Sequence, residues 1–242
     1  MNSVARLKKT MASLGFIFIF LHTIKPVYAQ SVSAYLGSSV PYGLYGSKDI
    51  YNTSAGMALN GRSISLLIED DRSQKKIQPY IQWMYNTNDV DENALTKIYQ
   101  YNYRTIQAFQ AWSQNILLGG AKANYFGESF DLFAKGGLGF GWMRTHGFNI
   151  YTDSSGVIKF NPLQVNAFVL IAGLGTNIYL KQNLSLSLGY DFLFAKNNFG
   201  YEKYSNANGP VPAAVAVEVK PDFMIGNFYL GLKFNLGSSR KK

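Results

Sequence analysis

Phe228-Tyr229-Leu230-Gly231-Leu232-Lys233-Phe234-Asn235-Leu236, near the C-terminus, sorts its side chains into two unlike sets. Phe228, Leu230, Leu232, Phe234 and Leu236 form one; Tyr229, Gly231, Lys233 and Asn235 form the other. Successive side chains of a strand point to opposite faces, so this period of two gives one wholly apolar face and one that carries a charge. A single strand of this kind fits a soluble sandwich as well as a barrel wall. The pattern recurs, however. Leu184, Leu186, Leu188, Tyr190, Phe192 and Phe194 oppose Ser185, Ser187, Gly189 and Asp191. Phe130, Leu132, Ala134, Leu138, Phe140 and Trp142 oppose Asp131, Lys135, Gly137, Gly139 and Gly141.

Read outward from these stretches, the chain holds eight strand candidates: residues 32–42, 54–68, 77–85, 105–125, 130–146, 164–180, 184–194 and 225–236. In the second, the apolar parity shifts near Asn60-Gly61, which predicts a bulge. The connections alternate in length. Glu69–Lys75, Phe126–Ser129 and Lys181–Asn183 are short and turn-like; 43–53, 86–104, 147–163 and 196–224 are long. Short turns at one end and long loops at the other characterise an up-and-down membrane barrel. Within the last long loop, Val211–Val219 predicts an extra hairpin or a strand extension beyond the membrane. The expected fold is therefore all-β, an eight-stranded antiparallel up-and-down transmembrane β-barrel.

Composition agrees. The chain has 242 residues, 15% aromatic and 15% charged, with 17 Tyr, 17 Phe and 23 Gly. Charge is well below the roughly 25% of soluble domains. Mean hydropathy is −0.06, too polar for a bundle of apolar helices. Arg6, Lys8 and Lys9 precede an apolar run from Met11 to Leu21, and Val27-Tyr28-Ala29 ends in small or β-branched residues. This predicts a secretory signal peptide over residues 1–29, cleaved after Ala29, and a barrel domain over 30–242. With no cysteine there is no disulfide, no thiolate metal site and no lipid-anchoring thiol. Net charge is +9, but the first 29 residues hold four cations and no acid, which leaves +5. Arg240, Lys241 and Lys242 account for three of these, and no basic stripe marks a nucleic-acid partner.

Aromatic residues fall where strands meet the interfaces: Tyr125 and Phe126 by a short turn, and Trp83, Tyr85, Trp142, Phe192 and Phe194 toward the long loops. With the signal segment, the alternating strands and the glycine-rich faces, this pattern resembles the small porin-like outer-membrane β-barrel proteins of Gram-negative bacteria, of OmpA/OmpX-type architecture. Leu188-Gly189-Tyr190 and Gly231-Leu232-Lys233-Phe234 look most like those of the Bacteroidetes. The resemblance implies an outer-membrane location, surrounding outer-membrane lipid, the barrel-assembly machinery as a partner and a monomer. Such barrels usually finish on an aromatic residue, whereas here Gly237–Lys242 follow the last strand.

The faces assign side chains. Lys122, Asp131, Lys135, Asp191 and Lys233 are lumen-facing candidates, with Gln78, Gln82, Gln110, Gln114, Asn124, Ser185, Ser187 and Asn235. Trp142, Leu186, Leu188, Phe192, Phe228, Leu230, Leu232 and Phe234 are lipid-facing candidates. Mixed charge in a barrel this narrow predicts a plugged lumen rather than an open pore. His146 lies beside a loop with Asp153, Ser154 and Ser155, the residue types of serine–histidine chemistry. Asp89, Asp91 and Glu92 are oxygen ligands for a divalent cation by residue type, but they lack the ligand ladder of a dedicated loop. Neither pattern is specific. The expectation is no catalytic residue, no metal, no cofactor and a non-enzymatic barrel serving envelope integrity, surface interaction or limited solute passage. The alternatives are a lipid-modifying enzyme of the lipid A deacylase type and a secreted soluble β-barrel that binds an apolar ligand.

Overall fold

The computed structural model describes residues 30–49, 56–70, 76–98, 103–152, 157–196, 199–201, 203–205, 217–219 and 222–236. The signal segment, Asp153–Ser155, most of Val211–Val219 and the Gly237–Lys242 tail lie outside them. Eight strands close into one antiparallel barrel. They are β1 (Gln30–Tyr42), β2 (Ala58–Asp70), β3 (Ile77–Val90), β5 (Trp112–Phe126), β6 (Phe130–Arg144), β9 (Gln164–Lys181), β10 (Leu184–Ala195) and β14 (Phe223–Asn235). Each pairs with the next barrel strand in sequence, and β1 closes the ring on β14. The bulge appears as a register shift between Ala58 and Gly61.

Register fixes the barrel's shape. The ladder leaving β1 at Val32 runs through Ile68, Ile81, Gly119, Leu138, Leu170, Phe194 and Met224 and returns to β1 at Tyr42, a stagger of ten residues. With eight strands, that stagger tilts each by about 40° and leaves a bore that side chains fill. Alternation then divides the wall. On β6, Phe130, Leu132, Leu138, Phe140 and Trp142 are exposed outward, while Asp131, Phe133, Lys135 and Met143 are buried inside. The outward apolar run from Phe130 to Trp142 covers about 30 Å of height, close to the ~25 Å band of a membrane barrel.

Inward glycines seat inward rings. A Cβ on Gly189 would lie 2.3 Å from the Tyr229 hydroxyl, one on Gly231 2.5 Å from Tyr35, and one on Gly175 2.4 Å from Phe133. Gly120 and Gly137 leave the same room for the Tyr80 hydroxyl, at 2.8 and 2.7 Å.

The long connections hold structure of their own, which corrects their reading as loops. The stretch 105–125 is two strands. Above the barrel rim, β4 (Tyr103–Gln110) leaves the wall and pairs with β7 (Gly147–Thr152), β7 with β8 (Val157–Phe160), and β8 with β12 (Lys203–Ser205). This is a four-stranded sheet. Alternation runs unbroken across Ala111 because periodicity reports a side chain's face and not the strand's partner. The third strand runs on to Val90 through Asn86 and Asn88, whose polar side chains are buried, and the fifth stops at Arg144, short of His146. Two short helices, α1 (Gly43–Gly46) and α2 (Glu92–Ile98), complete the cap with a small β11–β13 pair (Phe199–Tyr201 with Val217–Val219).

The glycine–tyrosine fit predicts that Gly189→Val, which adds volume where Tyr229 lies, lowers stability by about 1–3 kcal/mol. Urea titration of the refolded protein in lipid, followed by the gel shift between heated and unheated samples, checks it.

Candidate functional site

The lower half of the barrel holds ionic groups that strand alternation alone turns inward. Lys122 on β5, Asp131 and Lys135 on β6, Asp191 on β10 and Lys233 on β14 are all buried within the wall. At their centre is Glu69, 1% exposed on β2. The sequence reads it as the first residue of the turn-like stretch Glu69–Lys75. The strand instead continues to Asp70, and parity with Ser63, Ser65 and Leu67 turns Glu69 inward. Lys122 Nζ bonds Glu69 Oε2 at 2.5 Å, Lys233 Nζ pairs with Oε1, and Ser31 donates to Oε1 at 2.9 Å. One carboxylate thus joins β2 to β5 and β14, neither of which is its neighbour in the wall.

A second group lies just above. Lys135 Nζ is 2.8 Å from Asp191 Oδ2 and donates to Gln82 Oε1 at 2.9 Å. Gln82 Nε2 reaches Asp191 Oδ2 at 3.4 Å and Ser65 Oγ at 3.3 Å. Gln82 is on β3 and Asp191 on β10, four places apart in an eight-strand ring. Their contact therefore spans the full bore. The Lys135 ammonium also sits over the rings of Tyr229, Tyr80 and Tyr35 at 5.2, 5.8 and 6.0 Å, within cation–π range.

The upper half is sealed differently. Tyr45, on α1, is fully buried in the barrel mouth. Its ring packs on Phe223 at 4.2 Å and meets Trp112 edge-on at 5.2 Å. Its hydroxyl donates to Asn88 Oδ1 at 3.2 Å and accepts from Gln114 Nε2 at 3.0 Å. Around it, Met84, Ile116, Met143, Val169, Leu193 and Ile225 form an apolar core continuous with the inner face of the cap, where Ile106, Phe148, Ile150 and Phe160 lie. From floor to mouth the bore is filled by its own side chains.

The remaining candidates separate. Gln78, Gln114, Asn124, Ser185 and Ser187 are buried inside, and Asn124 donates to Gln78 at 3.0 Å. Asn235 is half-buried at the lower rim. Gln110 is not in the lumen. It belongs to the cap, where its amide oxygen, turned toward Arg144, accepts from Nε at 2.9 Å and Nη1 at 3.2 Å. Trp142, Leu188, Phe228, Leu230, Leu232 and Phe234 are exposed on the outside, and Leu186 and Phe192 are partly so. His146 is buried above the belt, tilted against Trp112 at 4.9 Å and stacked on Phe148 at 5.3 Å. Its place inside the cap's aromatic core keeps it from a lipid surface. The acids 89, 91 and 92 do not converge. Asp91 pairs with Lys48 at 2.8 Å and accepts from the Ala94 N–H, capping α2, while Glu92 accepts from the Ala108 N–H. No group of potential metal ligands forms among the described residues.

No family model matches the chain, and no curated protein matches it. Among solved structures, it is similar to a major outer membrane protein from Thermus thermophilus. The TM-score is 0.54 at 11% identity, over 86% of this chain and 99% of that one. It is also similar to the outer membrane protein OprG from Pseudomonas aeruginosa, with a TM-score of 0.51 at 11% identity, over 88% and 97%. The likeness is one of fold. It is a likeness to outer-membrane barrels, over nearly the whole length of both.

Breaking the Glu69 bridge leaves two buried ammonium groups without their anion. Glu69→Ala is expected to cost about 3–5 kcal/mol, whereas changing Glu69, Lys122 and Lys233 together to Met is expected to be near neutral. Urea unfolding of the three forms in lipid checks both. In the cap, burial pushes the His146 imidazole down to about 3. The unfolded segment therefore binds a proton that the folded one refuses between pH 6.5 and about 3, and stability falls as pH falls through that window. The hydrogen bond from Lys48 holds the Asp91 carboxyl below its ordinary range, so its contribution is lost only at lower pH, through its own folded pKa. Amide exchange in β4, β7 and β8, corrected for intrinsic rates, should quicken by up to about tenfold per pH unit below pH 6. In His146→Phe that slope should be absent.

Proposed function

We propose that this chain is an outer-membrane barrel with a closed lumen, a non-enzymatic protein whose working surface is the folded cap above the membrane. The observation that carries the reading is the filled bore. Gln82 and Asp191 meet across it, Glu69 ties three strands inside it, and Tyr45 closes its mouth. A channel needs a continuous polar path, and the apolar core around Met84, Ile116, Leu193 and Ile225 interrupts one. Of the duties open to a small porin-like barrel, envelope integrity and surface contact are therefore favoured over solute passage. The outer-membrane location is supported by the apolar outer wall, the export signal and the shared fold with outer-membrane proteins. The Gram-negative, Bacteroidetes-like origin is supported by the style of the strands.

The two alternatives fare less well. A lipid-modifying enzyme would bring its histidine to the lipid edge, and His146 stacks inside the cap instead. A soluble barrel with an apolar ligand would keep its wall polar outside and its interior open. Here Leu138, Phe168, Leu174 and Phe228 are more than half exposed outside, and charges pair within.

Fractionation tests the reading. The chain should sediment with the outer membrane, run faster unheated than boiled, and expose the cap to labelling of intact cells at Lys159. Recovery in periplasm or medium without detergent, or an altered acyl pattern of the cell's glycolipid on expression, contradicts it.

A further inference from the structure

Tyr45 occupies a place in the barrel mouth that is more specific than packing requires. Its ring lies between Phe223 and Trp112, and its hydroxyl both donates, to Asn88 Oδ1, and accepts, from Gln114 Nε2. A ring without the hydroxyl would leave both amides unpaired, so the place discriminates by chemistry as well as by shape. Beside it stand amide atoms that Tyr45 does not satisfy. Gln114 Oε1, Asn86 Nδ2 and Asn227 Oδ1 are buried without a hydrogen-bond partner. They form one group: Asn86 is the register partner of Gln114, and Asn227 Nδ2 donates to Asn86 Oδ1 at 3.2 Å. All three residues are at most 1% exposed. Native interiors leave few such atoms, and each calls for a cause. Here one donor and two acceptors stand within a neutral, otherwise apolar region around Met84, Ile116 and Ile225.

The element that delivers Tyr45 is separable from the wall. Tyr42 ends β1 in register with Met224. Gly43 follows with φ +56°, a left-handed backbone that glycine takes freely, and α1 leaves the wall at that one residue. The other side of α1 is held under strain. Gly56 N–H donates to Leu44 O at 2.8 Å, Met57 N–H donates to Ser47 O at 3.1 Å, and Met57 is left-handed with φ +50°. A non-glycine residue keeps that backbone only where its surroundings impose it, and such strain gathers at clamps and switches. If α1 leaves, the bond from Met57 to Ser47 goes with it. α1 enters at the seam of β1 and β14, diametrically opposite β5 and β6, from which the cap sheet rises.

We propose that Tyr45 is a built-in occupant of a ligand site in the barrel mouth, and that a small neutral phenol displaces it. The ligand ring takes the slot between Phe223 and Trp112, and its hydroxyl takes the bonds to Asn88 and Gln114. A second polar group on the ligand reaches Asn86 and Asn227. α1 turns out about Gly43 without parting the cap sheet. The layer of Lys135, Asp191 and Gln82 below stays shut, so the site is a blind pocket and not a channel.

NMR titration of the isotope-labelled full barrel, folded in detergent, tests this with p-cresol, 4-hydroxybenzyl alcohol and toluene as probes. In the wild type, saturating p-cresol should quicken amide exchange at Gly56 and Met57, whose N–H groups donate to α1 and Ser47, and leave β6 unchanged. Tyr45→Ala should bind p-cresol at least about tenfold more tightly than the wild type, because the internal competitor is gone. Tyr45→Phe, which leaves no cavity but competes without a hydroxyl, should also bind it more tightly than the wild type. Toluene should bind Tyr45→Ala at least about tenfold more weakly than p-cresol does. 4-Hydroxybenzyl alcohol should bind that variant more tightly than p-cresol, and adding Asn227→Leu should remove the difference. Each variant is first shown to give the heated-against-unheated gel shift. Binding confined to Tyr45→Ala marks an engineered cavity only and overturns the site. Equal binding of toluene, or unchanged exchange at Gly56 and Met57 in the wild type at saturating p-cresol, overturns it as well.

Discussion

A carboxylate with two ammonium groups, sealed inside a β-barrel, constrains everything around it. Glu69 accepts from Lys122 and Lys233, and each group is buried. Charges removed from water this way hold only if all three are in place, since loss of one leaves the others uncompensated at several kcal/mol. The three residues come from β2, β5 and β14, so their contact requires closure of the ring and one register for each strand. A slip of one residue on β2 would turn Glu69 toward lipid and Asp70 inward. The same logic applies to Gln82, Lys135 and Asp191, which meet from opposite walls.

From this constraint follows the division of labour along the barrel axis. Ionic pairs fill the floor, tyrosine rings over glycines fill the middle, and Tyr45 with its amide partners closes the mouth. Outside, the wall needs only apolar bulk between two edges. The inside therefore carries specificity of fold, and the outside carries the fit to the bilayer. Beyond the belt the chain builds the four-stranded sheet with α1 and α2.

Much of this was legible in the chain. Alternation in Phe228–Leu236 and Leu184–Phe194 assigned faces, and the short turns at Phe126–Ser129 and Lys181–Asn183 located one rim. Three things were not legible, each for a physical reason. Glu69 stood beside Asp70, Asp71 and Arg72, so local composition hid the continuing strand; only extending the parity of Ser63, Ser65 and Leu67 would have found it. The cap strands β7, β8 and β12 fall in stretches whose sequence gives only long connections, because they are short and pair with one another across long gaps in sequence, a non-local fact. Parity puts Gln110 on the inward face, since it tells which face a residue takes but not whether its strand still belongs to the barrel.

The central claim is that side chains fill the bore. Single-channel recording of the refolded protein in planar bilayers tests it most directly. The account predicts a flat baseline under applied voltage, with no sustained open level. A stable, reproducible open conductance in the wild-type protein, carried by the folded monomer, would contradict it.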